Sequence, residues 1–93
     1  MSAKRLMLRE LSSKAKAIDL MEVSLTDDGR VVFKAMPWQD KRFIQSLIDD
    51  MSNGIRNPLT GETAVPADGE KFMRLLPYHF HGDYMWAEEV ANE

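Results

Sequence analysis

The chain has 93 residues, enough for one domain with one modest core. Hydrophobic residues make up 44% and the net charge is −3, a balance that excludes global disorder and does not by itself select a charged partner. The absence of cysteine excludes a disulfide framework, a thiolate metal site and a cysteine nucleophile, and no apolar run approaches the ~20 residues of a membrane span.

The first residues, Met1 to Leu8, have a basic start without the apolar core of a signal peptide. Together with the missing cysteines this leads to the expectation of a cytoplasmic protein. Charge is unevenly spread. Residues 1–17 hold Lys4, Arg5, Arg9, Lys14 and Lys16 against Glu10, a balance of +4 that leaves −7 for the rest. Residues 3–16 are rich in helix formers and lack Gly and Pro. Met7, Leu8, Leu11, Ala15 and Ile18 recur at spacings of three and four, which predicts a helix with a narrow apolar stripe. This basic helix, within residues 1–17, is expected to pack on the acidic body of a single 1–93 domain, with a semi-independent arm that touches an acidic surface as the alternative.

Residues 19–36 read as a β-hairpin. Asp27-Asp28-Gly29 interrupts two alternating runs, and a three-residue loop with Gly29 left-handed pairs Leu25 with Val31, Val23 with Phe33 and Met21 with Ala35. The other face then pairs Thr26 with Arg30, Ser24 with Val32, and Glu22 with Lys34 as a cross-strand ion pair. A two-residue loop would oppose Val23 to Lys34 and spoil the apolar face, so the three-residue register is expected.

Pro37 ends the second strand and suits the start of a helix running from residue 37 or 38 to 52. Phe43, Ile44, Leu47, Ile48 and Met51 supply its core stripe, Trp38 lies on its first turn, and Asn53-Gly54 caps its end. Residues 55–65 are irregular, with turn chemistry at Asn57-Pro58-Leu59-Thr60-Gly61. Ile55, Leu59 and Val65 are expected to pin this stretch across the core. Pro66 to Leu76 reads as a short helix that turns Phe72, Leu75 and Leu76 inward. Gly69 within it points to close packing.

Pro77 to Trp86 reads as a strand. Tyr78, Phe80, Tyr84 and Trp86 take alternate positions and so share a face, opposite His79, His81, Asp83 and Met85. Residues 91–93 are a frayed tail. The element order is then α-β-β-α-α-β, a two-layer α+β domain with a small, mainly antiparallel sheet covered by helices.

Few residues carry chemistry. On a continuous strand His79 and His81 lie about 6.5–7 Å apart at the backbone, where two imidazoles can converge on a metal with Asp83 as a third donor. Gly82 can bulge that strand, so no metal and no other cofactor is expected. Nothing brings Asp68, Glu70, Asp83 or Glu88 together as an acid–base pair, and no Gly-rich phosphate loop or nucleophile elbow is present. Nucleic acid is disfavoured by the acidic body, with the basic first helix as its one candidate contact. Eight aromatic residues and seven methionines exceed what so small a core easily hides. The function expected is therefore non-enzymatic. It is a protein-interaction or adaptor module, working on a protein partner or a second copy through Trp38, Tyr84, Met85 and Trp86. Glu88 and Glu89 beside that surface favour a basic rim on the partner. The alternatives are a metal-dependent hydrolase using His79 and His81, and nucleic-acid contact through the N-terminal helix.

Overall fold

The computed structural model describes residues 5–11, 17–80 and 83–89. It contains β1 (Arg5–Leu11), β2 (Ala17–Leu25), β3 (Val31–Ala35), α1 (Lys41–Ser52), β4 (Ile55–Arg56), β5 (Thr63–Ala64), α2 (Glu70–Leu75) and β6 (Tyr84–Glu89). Single 3-10 turns at Pro66–Asp68 and Leu76–Tyr78 flank α2. One antiparallel sheet runs in the order β3-β2-β1-β6, and β4 and β5 form a separate ladder. The class is α+β, with a small antiparallel sheet and two helices. None of the helices described is long and apolar enough to cross a membrane.

The β2–β3 hairpin has the expected register, with Leu25 opposite Val31, Val23 opposite Phe33 and Met21 opposite Ala35. Thr26 N donates to Arg30 O at 2.8 Å, Gly29 N to Thr26 O at 3.0 Å, and Gly29 adopts φ 85°. Only a residue without a Cβ takes that conformation freely. Side chains reinforce the turn. Thr26 Oγ1 accepts from Arg30 N at 3.0 Å and donates to Asp28 Oδ1, and Arg30 Nε donates to Asp28 Oδ2 at 3.1 Å. Glu22 and Lys34 stand opposite each other, yet the expected ion pair is not among those joining the described residues.

Within the helix expected over residues 3–16, the described residues 5–11 form a strand instead, so the element order begins with strands. Residues 5–11 are β1, an inner strand of the sheet, which places Arg5 and Arg9 of the expected basic helix on a strand. Two facts explain this. Leu6 and Leu8 alternate with Arg5, Met7 and Arg9, and a strand brings both leucines into the core at 5% and 0% exposure. β1 also has a partner on each edge, β2 and β6, and two ladders outweigh helix propensities that differ by only ~0.7 kcal/mol per ordinary residue. Residues 1–4 and 12–16 lie outside the described part of the chain.

Leu8 faces Met21 while Arg9 faces Asp19, so Leu20 is the extra residue of a β-bulge. The bulge lets consecutive residues, Leu20 and Met21, both enter the core, and it sets Asp19 beside Arg9, whose Nε donates to Asp19 Oδ1 at 2.8 Å. On the core side Leu6, Leu8, Leu20, Met21 and Val23 meet Ile44, Leu47 and Met51 of α1 and Phe72, Met73 and Leu75 of α2. Each fully buried side chain of this size contributes about 1.5–3 kcal/mol relative to exposure. Phe33 meets Phe72 edge to face, with ring centres 6.2 Å apart.

α1 starts later than expected. Pro37 and Trp38 form a turn closed by Gln39 N donating to Met36 O at 3.1 Å, and Asp40 then caps the helix by accepting from Arg42 N at 2.8 Å. The expected 66–76 helix is split at Gly69, which has φ 52°. A Cβ there would lie 2.6 Å from the carbonyl oxygen of Gly29. The hairpin turn thus packs directly on the start of α2, and only glycine fits.

The aromatic strand expected from Pro77 to Trp86 is shorter and displaced. Leu75 and Leu76 are both fully buried, which a helical turn allows and an extended strand, with its alternating faces, does not. The chain therefore continues into a 3-10 turn through Pro77 and Tyr78. Phe80 takes φ 58°, an uncommon region for a residue with a Cβ, and interrupts any extended run. Extended pairing begins only at Tyr84, against β1. Tyr78, Phe80, Tyr84 and Trp86 therefore do not line one strand. His81, Gly82 and residues 90–93 lie outside the described part of the chain.

Candidate binding cleft

The β4–β5 ladder positions one wall of a cleft. Ile55 is buried at 1% exposure and Ala64 opposite it at 3%, so their neighbour Arg56 is turned outward. The loop between them is organised by Asn57, the one buried polar residue among those described. Its N–H donates to Glu62 O at 2.9 Å, its carbonyl accepts from Gly61 N at 2.8 Å, and its Oδ1 accepts from Leu59 N at 2.9 Å. With Asn57 held inward, Pro58 and Leu59 are displayed outward. Leu59 is 84% exposed and Val65 41%, so Ile55 and Ala64 pin this stretch rather than Leu59 and Val65.

The turn after α2 supplies the other wall. His79 N donates to Leu76 O at 3.0 Å, and the indole Nε1 of Trp86 donates to His79 O at 2.8 Å. The imidazole of His79 reaches towards α1, with Nε2 3.5 Å from Asp50 Oδ2. The Phe80 ring lies between His79, 4.4 Å away centre to centre, and Tyr84, 5.5 Å away. Arg56, Pro58, Tyr78, His79 and Phe80 together border an open cleft of about 370 Å³. The left-handed backbone at Phe80 costs on the order of 1–3 kcal/mol and is held by these surrounding contacts. Such strain is concentrated at binding and catalytic positions.

The carboxylates that flank the β4–β5 ladder, Glu62 and Asp68, are engaged. Glu62 pairs with Arg74 at 3.2 Å, and that hydrogen bond holds the Glu62 carboxyl below its ordinary pKa and raises the Arg74 guanidinium above its own. Asp68 Oδ2 accepts from Val65 N at 2.8 Å. Burial raises the Tyr84 phenol above its usual value, and Glu10 and Asp83 add to the effect. A second cleft, also about 370 Å³, lies on the other side of the ladder between Asn53, Arg56, Thr63, Val65 and Asp68.

The four residues expected to form one interaction surface are dispersed. Tyr84 and Trp86 face inward and pack against the core. Met85, 38% exposed, points to the opposite side of β6. Trp38 is 65% exposed but follows β3, the sheet edge opposite β6. Of the metal candidates, His79 is turned to Asp50 and Asp83 is an exposed residue whose carbonyl accepts from Leu11 N at 2.7 Å. His81 lies outside the described residues, among which no three His, Asp or Glu side chains are grouped to hold a metal. Sequence reasoning missed Arg56 and Asp50 as neighbours of the His79 turn. The Asn57-Pro58 turn signal marked one wall, but no periodicity links residue 56 to residue 78. No family model matches the chain, and no curated protein or solved structure matches it either.

Proposed function

We propose that the protein is a non-enzymatic interaction module that binds a segment of another protein chain in the cleft of Arg56, Pro58, Tyr78 and Phe80. The observation that carries this reading is the construction of the cleft. Tyr78 is presented outward at 40% exposure, while Phe80 packs against the core beside Tyr84 and the Trp86 indole holds the His79 carbonyl. Rigid rings backed by a core lose little conformational freedom on binding, which is why aromatic residues and Arg serve as anchors. The groups bordering the cleft are rings, a guanidinium and an imidazole paired with Asp50, a set suited to recognition rather than to nucleophilic attack.

A photo-crosslinking amino acid at position 78 tests this. In extract of the native host it is expected to capture a protein that the same group at Lys34, on the exposed part of β3, does not. Equal capture at both positions, or none at 78, removes the proposal. Self-association is the second reading, favoured by β6, which among the described residues has a hydrogen-bonded neighbour on one side only. Light scattering across a concentration series separates the two, because a second copy doubles the mass without any other component.

A further inference from the structure

We infer that the cleft takes an acidic side chain, a Glu or Asp of an extended segment flanked by an apolar residue, and that Arg56 receives its carboxylate. This rests on the proposed reading of the cleft as a protein-binding site and names the chemistry of its partner.

The argument is one of charge complementarity. Glu62 and Asp68 flank the ladder and are already used, and Asp50 stands against the His79 turn. Asp50 faces His79 at 3.5 Å, Glu62 holds Arg74 at 3.2 Å, and Asp68 accepts from Val65 N at 2.8 Å. Arg56 is exposed, borders the cleft, and makes no ion pair with any described residue. A guanidinium presents a planar fork of N–H donors that matches a carboxylate in a bidentate way. It borders the cleft together with Pro58 and Tyr78, both exposed, which offer apolar surface to the residue next to that carboxylate. The strand alternation that buries Ile55 fixes Arg56 outward. The side chain is therefore displayed from the ladder, and it borders the cleft from there.

The test uses a bead library of random seven-residue peptides, acetylated and amidated so that only side chains carry charge. Binders to the wild-type protein that are lost on Tyr78→Ala define the cleft. These are expected to be enriched in Asp and Glu over the starting library, and Arg56→Glu is expected to weaken them about tenfold or more. Arg56→Lys, which keeps charge but loses the fork, falls between. Arg56→Gln provides a neutral variant of similar size should Arg56→Glu disturb folding, which amide spectra report directly. Tyr78-dependent binders with no acidic enrichment, or with unchanged affinity on Arg56→Glu and Arg56→Gln, overturn the carboxylate inference while leaving the cleft a binding site. Binders that are all indifferent to Tyr78→Ala overturn both.

Discussion

The β2–β3 hairpin and the β1–β6 pair belong to one sheet and use the same hydrogen bonds, but they are specified in opposite ways. The hairpin closes over five residues, from Thr26 to Arg30, and its register follows from Gly29 and two alternating runs. β1 and β6 join the two ends of the described chain, with Leu6 opposite Glu88, and nothing local in either segment dictates that pairing. Indeed residues 5–11 favour a helix by composition. The difference teaches that turn chemistry can set a strand's partner, whereas a strand lacking a turn takes its identity from the surface it completes. Non-local pairing of this kind must also offset a larger loop-closure entropy before it is rewarded.

The sharpest way to break this comparison is in the middle of β1. Leu8→Ala removes a fully buried side chain and is expected to cost about 2–5 kcal/mol in denaturant unfolding. Hydrogen exchange in β6 and β2 is expected to accelerate together, because β1 holds both. If β6 amides keep their protection while β2 loses it, the view of β1 as the strand that unites the sheet is wrong. Gly69→Ala comes next, at about 2–4 kcal/mol, since it forces a Cβ against the Gly29 carbonyl and sets a side chain at φ 52°. Gly29→Val tests the hairpin itself. A Cβ at Gly29 meets nothing within 4 Å, so only the left-handed backbone is penalised, by about 1–2 kcal/mol. Equal losses at the two glycines would show that the contact between them contributes nothing.

The smallest effect is read by titration. The Asp28 carboxyl is held below its ordinary 3.8, first by the Thr26 hydroxyl and further by Arg30. A lowered folded-state pKa gives a contribution to stability that is present above 3.8 and fades as pH falls through the folded value. Thr26→Val is expected to move the Asp28 midpoint upward in an NMR titration while leaving the fold intact. An unmoved midpoint would mean that the turn network adds nothing beyond Gly29.

What was legible in the chain follows the same division. The register of residues 21–35, the stripe of Ile44, Leu47 and Met51, the inward set Phe72, Leu75 and Leu76, and the close packing at Gly69 all come from periodicity or single-residue chemistry. Residues 5–11 were misread because Met7, Leu8 and Leu11 fit a helical spacing as well as Leu6 and Leu8 fit a strand. The 77–86 stretch was misread because alternation of its aromatics is coincidental. The 3-10 turn through Pro77 and Tyr78 and the left-handed backbone at Phe80 break the extended run. The cleft was half visible. Asn57-Pro58 marked a turn, but Tyr78 was placed on a strand face, and the meeting of the two depends on how the ladder and the end of α2 pack, which is a property of the whole fold.

The contact between Gly29 and Gly69 also bears on how this protein can be handled. An exposed hairpin tip is ordinarily where an affinity tag, a fluorophore loop or a new pair of termini is spliced in without harm. Here the outer side of the tip faces open space, while its backbone oxygen lies against the start of α2. Splicing between Asp27 and Arg30 would therefore disturb a helix distant in sequence, and a labelled protein made that way would report on its own distortion.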